Sequence, residues 1–383
     1  MRGVQMEKGI YIYRGSTTEF TGVDKKIDAQ IESLSRHYDV YKIVIEKEDT
    51  TIIKSISWRL PFGSWGARYS EALEKIQAFL GNEKMAFIYI RGQALDRRYV
   101  RFLKNLRERH TSAKILYEIP TFPYFRECLQ SKSMWPWAFK DYFNRKNFNK
   151  LIDRVVTFSN NDEIYGVPTI RTKNGVLIKE KKIDYNIIAN KDDAVINLLA
   201  VAQFQKSHGY ERVIEGLAQF YSVDRPDKVM LHMVGAGDEK NRYERLVTKL
   251  GIGKYVVFHG LLYGTDLEEI YQKADLGMGC FGLYKRHIYT ISSLKIAEYL
   301  SHGLPVITGI KEEIFKELDS DYYLEFPNDD SQVDINKIVE YYKGLKKKYS
   351  LKEIREHISN FAIRNMDISV TMEPVLNYIM QSK

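Results

Sequence analysis

Residues 292–308, SSLKIAEYLSHGLPVIT, show how the second half of this chain folds. The apolar residues Leu294, Ala297 and Leu300 recur at the spacing of one face of a helix. Gly303 follows them at the position of a helix C-cap, and the proline and apolar run behind it begin a buried strand. The segment therefore predicts a helix that runs directly into a strand.

Strands and helices alternate through the rest of the second half. Apolar runs predict strands at residues 197–204, 228–234, 255–259 and 275–281 and from residue 306. Helical spacing recurs between them at residues 209–220, 239–250 and 267–273, and in the helix that carries Lys295 and Glu298. This alternation is typical of an α/β fold with a doubly wound parallel sheet, on which ligands bind beyond the carboxyl ends of the strands.

The first half shows the same alternation. Strands are predicted at residues 9–13, 40–45, 85–91, 114–119 and 154–158, with a helix at residues 27–36. Because 383 residues are enough for two separate cores, we expect two Rossmann-like domains. The first spans residues 1–190, with a C-terminal helix within residues 366–383 packed back on it, and the second spans residues 191–365.

The pattern SxLKxxEYLxxGLPVI resembles a helix of the GT-B glycosyltransferases, specifically the retaining family 4 (group 1) of the bacterial cell-surface polysaccharide type. The resemblance implies two Rossmann-like domains that face each other across a cleft, with the nucleotide bound mainly by the second. In that family the last carboxylate of an E-x7-E motif holds the donor ribose, which assigns this role to Glu298. The first Glu of the motif is replaced by Thr290. We expect Thr290, Ser292, Ser293 and Lys295 beside the donor; the alternative is an ordinary amphipathic helix with solvated charges.

The diphosphate of such a donor needs positive groups, since negative charge develops on it as the glycosidic bond breaks. Where family members have GRLxxxKG, Gln203 replaces the Arg and His208 replaces the Lys. The segment HGYERVIEGL matches a branch of the family in which HGYxRxIxGL is usual. We expect His208 to donate to phosphate, with Lys206, Arg286 or Lys295 supplying the missing charge. A capping or merely exposed histidine is the alternative.

Gly235, Ala236 and Gly237 lie between a predicted strand and a predicted helix, where backbone N–H groups face phosphate. A dinucleotide fingerprint would need a third glycine at position 240, which is Lys, so NAD binding is disfavoured. The resemblance places Gly235 and Gly237 beside the nucleotide, and Gly260 and Leu261 at the step whose backbone meets the base. Tight-turn glycines are the alternative at both places.

Two loops of the first half also resemble family segments. Residues 21–26, TGVDKK, resemble the N-terminal glycine loop, so Gly22 is expected at the donor. Residues 117–124, YEIPTFPY, resemble an EIPTYPY loop of polysaccharide-assembly members, and its prolines suit a rigid pocket wall. Glu118 in this loop is a second candidate catalytic residue besides His208. Its expected role is to take the proton of the acceptor hydroxyl; the alternative is a buried structural carboxylate.

Positive charge is concentrated in the first half. Residues 1–190 contain 33 basic and 22 acidic side chains, and residues 51–150 alone contain 19 and 8. All four tryptophans lie in two patches of that window, interleaved with basic side chains. Such patches favour an anionic membrane surface, and a domain with solvated bases is the alternative. The expected docking residues are Trp58, Trp65, Trp135, Trp137 and Phe139.

Several other classes are disfavoured. Cys128 and Cys280 fall in different predicted domains, so a disulfide framework is implausible and a reducing cytoplasm is expected. No apolar run approaches the ~20 residues that span a bilayer, and no signal peptide is visible. No metal-ligand cluster is visible, and no cofactor beyond the substrate is expected. Nucleic acid is disfavoured because no RRM, KH or helix-turn-helix signature accompanies the basic patches.

These features predict an enzyme, of the hexosyltransferase class, that moves a sugar from a nucleotide-sugar to a hydroxyl of a lipid-linked saccharide acceptor with retention of anomeric configuration. UDP is favoured over GDP or dTDP as the nucleotide. The expected place is the inner face of the cell membrane, in capsule or exopolysaccharide assembly. Two other classes remain open: a degenerate, non-catalytic GT-B protein that binds sugar or nucleotide, and a GT-B nucleotide-sugar epimerase.

Overall fold

The computed structural model of the chain describes residues 6–15, 22–45, 50–52, 56–58, 65–92, 95–120, 122, 135–178, 183, 188 and 194–381. These residues form two compact units. One runs up to Leu177 and takes up the chain again at Ile368, and the other spans Ile178–Asp367. The first boundary therefore lies at residue 177, thirteen residues before the predicted 190. The second lies at residue 367, two residues after the predicted 365.

The first unit is built on a mixed sheet. Its strands are β1 (Lys8–Arg14), β2 (Asp39–Ile45), β3 (Thr50–Ile52), β4 (Ile56–Trp58), β5 (Met85–Arg91), β6 (Lys114–Ile119), β7 (Arg154–Thr157), β8 (Glu163–Ile164) and β9 (Val167–Arg171). Their order is β4-β3-β2-β1-β5-β6-β7-β9-β8, and the pairs from β2 to β9 are parallel. Its helices are α1 (Gly22–Ser35), α2 (Trp65–Leu80), α3 (Arg97–Arg109), α4 (Trp135–Asn144) and, at the end of the chain, α11 (Ile368–Met380).

Strand β1 is buried on both faces. Ile10 and Ile12 belong to one core cluster, while Tyr11 and Tyr13 belong to another. The continuous apolar run of β1 is what a central parallel strand requires, since helices cover both of its faces. Helix α11 joins the cluster of Tyr11, which places the last helix of the chain in the first unit.

The second unit contains a fully parallel sheet in the order β12-β11-β10-β13-β15-β17. These strands are β10 (Val195–Val201), β11 (Lys228–Val234), β12 (Val256–Gly260), β13 (Leu276–Met278), β15 (Val306–Thr308) and β17 (Tyr323–Glu325). Strands β14 (Thr290–Ile291) and β16 (Lys311–Glu312) form a separate parallel pair. The helices are α5 (Glu211–Phe220), α6 (Lys240–Lys249), α7 (Gly264–Lys273), α8 (Leu294–Ser301), α9 (Ile335–Lys348) and α10 (Leu351–Met366). The strand order reverses between β10 and β13, which is where doubly wound sheets bind ligands.

Helix α8 is fixed at both ends and along its buried face. Gly303 adopts a left-handed φ of 69° just beyond the helix, as the sequence predicts. The hydroxyl of Tyr299 accepts a hydrogen bond from Val201 N over 2.8 Å. A side chain at Gly277 would meet the Tyr299 ring at 2.3 Å, so this glycine provides the space that the ring occupies. These contacts hold α8 against the switch between β10 and β13.

Arg355 of α10 ties the ends of α7 and α8 together. Its buried guanidinium donates to the carbonyls of His302 and Ala274 over 2.7 and 2.6 Å, and also to those of Tyr271 and Gln272. These groups lie at helix C-termini, where carbonyls lack intrahelical partners and a cation is favoured. Arg355 therefore satisfies two helix ends at once.

Candidate functional site

The loops that follow β10 and β13 meet at the strand switch. Phe281 N donates to the carbonyl of His208 over 2.7 Å. Gly209 has a φ of 63°, and a side chain there would lie 2.4 Å from Gly282 N. The short turn Lys206–His208 is therefore held against the loop after β13. Lys206 of this turn is exposed, as is Gln203 before it, and Arg286 ends the short turn Leu283–Arg286 that packs against it.

His208 is held as a neutral donor. Its Nδ1 accepts a hydrogen bond from Gln205 N over 3.1 Å, so the proton of the neutral ring lies on Nε2. Its ring stacks on that of Tyr210, with centroids 5.5 Å apart and planes 15° apart. Burial, together with the charge of Lys295, lowers the pKa of His208 from 6.5 to about 2. His208 therefore supplies an N–H group at neutral pH rather than a positive charge.

Lys295 supplies the charge at this place. Its Nζ donates to the hydroxyl of Tyr210 over 2.8 Å and lies 4.0 Å from Cys280 Sγ. In the part of the chain that the structure describes, no carboxylate lies within salt-bridge distance of this ammonium group. Lys285, by contrast, is neutralised by Glu211. Lys295 thus presents a cation at the hydroxyl of Tyr210, and His208 presents a neutral N–H donor from the face of the same ring.

Glu298 lies one helical turn from Lys295 on α8 and is half-buried. Its Oε2 accepts a hydrogen bond from the buried hydroxyl of Tyr271 over 3.3 Å. Tyr271 is itself fixed by stacking on His302, with centroids 3.8 Å apart. The other carboxylate oxygen has no partner among the described residues, so Glu298 retains the capacity to accept hydrogen bonds from hydroxyl groups of a ligand.

Ser293 has a structural role that the sequence did not indicate. Its N and Oγ donate to Glu312 over 3.0 and 2.7 Å, while its Oγ accepts from Ile296 N as the N-cap of α8. Burial raises the pKa of Glu312 to about 8, against the hydrogen bonds from Ser293. Because both donors of Ser293 are occupied, its expected contact with the donor gives way to a capping role. Ser292 is half-buried beside it, and Thr290 lies exposed on β14.

The glycines after β11 are explained by packing between loops. A side chain at Gly235 would meet Ala202 O at 1.9 Å, and one at Gly237 would meet Phe204 O at 2.5 Å. The N–H of Gly235 donates to Gly260 O over 2.7 Å and is therefore not free to bind phosphate. Gly260, by contrast, has open space around it, and the Leu261 that follows is 60% exposed.

Comparison with known proteins identifies this unit. Residues 196–342 match the family model described as glycosyl transferases group 1. The second unit carries a group 1 glycosyltransferase domain. The match includes the turn of His208 and the helix of Lys295 and Glu298, so the predicted class of enzyme, a glycosyltransferase, is confirmed. None of the curated protein sequences compared with the chain matches it.

Solved structures of glycosyltransferases match almost the whole chain. Sucrose-phosphate synthase from Thermosynechococcus elongatus matches with a TM-score of 0.71 at 16% identity, over 97% of this chain and 99% of its own. Anabaena HepE, in complex with UDP and glucose, matches with a TM-score of 0.61 at 13% identity over the same shares. WaaG, a glycosyltransferase involved in lipopolysaccharide biosynthesis, matches with a TM-score of 0.64 at 15% identity, again over 97% and 99%. The predicted GT-B fold is confirmed.

In the first unit, Glu118 is completely buried in a polar cluster. Tyr89 and Gln30 donate to its Oε2 over 2.6 and 2.9 Å, Arg91 donates to Oε1, and Lys26 Nζ lies 3.7 Å from the same oxygen. Burial alone would raise the pKa of Glu118, but Lys26, Arg91 and these hydrogen bonds outweigh it and lower the pKa to about 2.

Such a carboxylate is a poor general base, because its lone pairs are occupied and it holds a proton only in strong acid. We therefore assign Glu118 the structural role, in place of the predicted catalytic one. Gly22 is exposed as the first residue of α1, the helix that also carries Lys26.

The predicted docking residues fall into two groups. Trp135 and Phe139 lie one turn apart on α4 and are 43% and 55% exposed. Tyr142 and Phe143 extend the same exposed aromatic surface. Trp58 ends β4 and Trp65 begins α2, but their side chains and that of Trp137 lie outside what the structure describes.

Among the described residues no helix is long and apolar enough to span a bilayer, and no group of His, Cys, Asp or Glu side chains is arranged to hold a metal ion.

Replacing Glu118 by Gln should lower the free energy of unfolding by about 3 kcal/mol at pH 7, because two buried cations lose their counter-charge. The Glu118 pKa is lowered from 4.5 to about 2, so the stabilisation is present above pH 4.5 and is lost as the pH falls towards 2. Urea unfolding of both proteins should therefore give curves that converge across this range.

The matched control is Glu83→Gln, which removes an exposed pair with Lys8 and should change stability by less than about 1 kcal/mol. An E118Q protein that is as stable as the wild type, yet has a strongly lowered kcat at an unchanged KM, would restore the catalytic assignment.

Proposed function

We propose that this glycosyltransferase is a retaining enzyme of family 4. In the proposed reaction a sugar passes from a nucleotide-sugar, with UDP favoured over GDP or dTDP, to a hydroxyl of a lipid-linked saccharide in the assembly of a surface polysaccharide. The observation that carries the proposal is the grouping of Lys295, His208 and Glu298 near the switch between β10 and β13. A cation, an N–H donor and a carboxylate are the groups that a nucleoside diphosphate requires.

Each of the three groups has a distinct task. As the bond from the sugar C1 to the phosphate oxygen breaks, the electron pair stays on the diphosphate, which gains negative charge. Lys295 and the Nε2–H of His208 stabilise that charge, and both are held by contacts formed before the substrate binds. Glu298 binds the ribose hydroxyls through its unoccupied oxygen. The acceptor hydroxyl then forms a new bond to C1 on the face that the diphosphate leaves, and its proton passes to the departing diphosphate oxygen, so that configuration is retained.

The nucleotide preference and the acceptor have separate support. The structure of Anabaena HepE with UDP and glucose favours UDP. The role of WaaG in lipopolysaccharide biosynthesis favours a saccharide acceptor carried on lipid. The exposed aromatic face of α4 carries Lys140 and is followed by Arg145 and Lys146, a combination that suits an anionic bilayer. We place the enzyme at the inner face of the cell membrane, where such an acceptor is within reach.

The direct test of the donor site is Glu298→Gln. This substitution should weaken UDP binding about tenfold, because a charged acceptor of the ribose hydroxyls is lost. In calorimetry, the wild type should bind UDP more tightly than 2′-deoxy-UDP, and the variant should lose that preference. The matched control, Glu269→Gln, changes an exposed carboxylate on α7 and should behave as the wild type.

The reaction is tested with the wild-type protein. Wild-type protein with UDP-sugars and a lipid extract should yield glycosylated lipid, and the NMR coupling of the anomeric proton should be that of the donor. Conversion of the donor without an acceptor would indicate the epimerase. If the protein binds UDP-sugars but converts none of them, with or without lipid extract, the result would indicate the non-catalytic alternative.

Lys295→Met should weaken UDP binding by about tenfold or more while leaving uridine binding unchanged, since the lost contact is to phosphate. Isothermal titration of the variant with UDP, UMP and uridine measures this difference. Lys273→Met removes an exposed lysine of the same unit and serves as the control. Equal losses for UDP and uridine would show that Lys295 acts through the fold instead of through phosphate.

Replacing Trp135 and Phe139 together by Ser should reduce binding to vesicles of anionic phospholipid by about tenfold, because two exposed rings no longer enter the interface. Vesicle sedimentation measures binding, and activity on a soluble acceptor should be unchanged. The control pair, Val223→Ser with Ile363→Ser, removes exposed apolar side chains from the second unit. Equal vesicle binding by both double variants would contradict docking through α4.

A further inference from the structure

A line of hydrogen bonds crosses the second unit from Asp275 to His259. Asp275 is 3% exposed and accepts from Asn197 N over 2.8 Å, from Asn197 Nδ2 over 3.3 Å and from the hydroxyl of Tyr342. Asn197 Oδ1 lies 3.1 Å from His232 Nε2, and His232 Nδ1 lies 3.0 Å from His259 Nε2. Asn197, His232 and His259 lie on three neighbouring strands, β10, β11 and β12. Asn197 pairs with Met230 and His232 pairs with Val257, so the line runs diagonally across the sheet and advances two residues at each strand.

Each link of this line fixes the hydrogen position in the next. The Asp275 carboxylate accepts from the Asn197 amide, so the Asn197 amide presents its oxygen to His232. His232 must then carry its proton on Nε2. Because burial and the neighbouring His259 lower the pKa of His232 to about 4, the ring is neutral at physiological pH, and its Nδ1 is an acceptor. His259 must therefore donate through Nε2.

The two imidazole rings have the geometry of an in-plane hydrogen bond. Their centroids are 5.2 Å apart and their planes differ by 25°. A nitrogen–nitrogen distance of 3.0 Å accounts for that separation when the rings point at each other edge to edge. Burial also lowers the pKa of His259, so this ring is neutral as well. The Nδ1 of His259 is consequently left as a lone-pair acceptor.

His259 stands at the ligand-binding edge of the sheet. It is the penultimate residue of β12, directly before Gly260 and the exposed Leu261, and it is half-buried. Within the described ranges of the chain its Nδ1 has no hydrogen-bond partner. The carbonyl of Gly260 is tied to Gly235 N, which fixes the end of β12 relative to the end of β11. A preset acceptor therefore lies where the edge of a nucleotide base is expected to come.

We infer that His259 Nδ1 accepts a hydrogen bond from the Watson–Crick N–H of the nucleotide base and so selects among bases. The inference rests on the proposed nucleotide-sugar donor. Uracil and thymine carry this N–H at N3, and guanine carries it at N1. Cytosine and adenine present a bare nitrogen at the same position, which would face the lone pair of His259 and leave both groups unpaired. His259 is then a specificity residue, while His232, Asn197 and Asp275 are positioning residues that fix its tautomer.

The test is calorimetric titration of the full chain with UDP, dTDP, GDP, CDP and ADP. For wild-type protein, the tightest of the first three should bind at least about tenfold more tightly than CDP and ADP, which corresponds to one well-placed hydrogen bond. His259→Ala should reduce this ratio about tenfold, and His232→Phe should reduce it as well by freeing the His259 tautomer. His357→Ala removes another imidazole of the same unit, bonded to Tyr322, and should leave the ratio unchanged.

Two measurements on wild-type protein avoid the risk that a variant misfolds. N3-methyl-UDP lacks the N–H and should bind about tenfold more weakly than UDP. Nitrogen-15 NMR of the wild type should show both His232 and His259 protonated at Nε2. A further spectrum, of His232→Phe, should show a changed tautomer at His259. Equal binding of UDP, N3-methyl-UDP and CDP, or an Nδ1-protonated His259, would overturn the inference. Failure of the wild type to bind any of the five nucleotides would instead overturn the proposed function.

Discussion

The second unit depends on the close approach of two loops at its strand switch. The carbonyl of His208 accepts from Phe281 N, and a side chain at Gly282 would come within 2.9 Å of Gly209. Because neither glycine has room for a side chain, the loop after β10 lies directly on the loop after β13. This contact keeps the stacked rings of His208 and Tyr210 within reach of Lys295, which comes from a different helix. Packing between backbones thus determines where the charged group of the site is placed.

A positive charge at this point can be supplied from more than one position in the chain. A lysine at position 208 would stand beside Lys295, and the two ammonium groups would repel each other in a half-buried place. A neutral His208 avoids that repulsion and still provides a donor. Lys295 finds its acceptor in the Tyr210 hydroxyl, which leaves its charge uncompensated for a ligand. A histidine in place of a lysine at position 208 therefore leaves one positive charge and one N–H donor, the two groups on which the proposed phosphate contact rests.

Local sequence patterns predict the fold well and the site only in part. The strands β5, β6 and β11 have the bounds that their apolar runs predict, and Gly303 caps α8 as its position indicates. The choice between two roles for Glu118 could not be made from sequence, because Lys26 and Arg91 approach it from distant parts of the chain. The hydrogen bond between Ser293 and Glu312 could likewise not be predicted from sequence, since the β14–β16 pairing brings these residues together. Periodicity indicates which face of an element is buried, but not which distant polar group it meets there.

The roles of histidine in this unit show why such partners matter. His208 and His259 are both neutral, yet they offer opposite groups to a ligand. At His208 the backbone N–H of Gln205 occupies Nδ1, so the free nitrogen is a donor that suits phosphate. At His259 the lone pair of His232 occupies Nε2–H, so the free nitrogen is an acceptor that suits an N–H group. The residue type is the same in both places, and the partner on the far side of the ring decides whether each histidine offers a donor or an acceptor to a ligand.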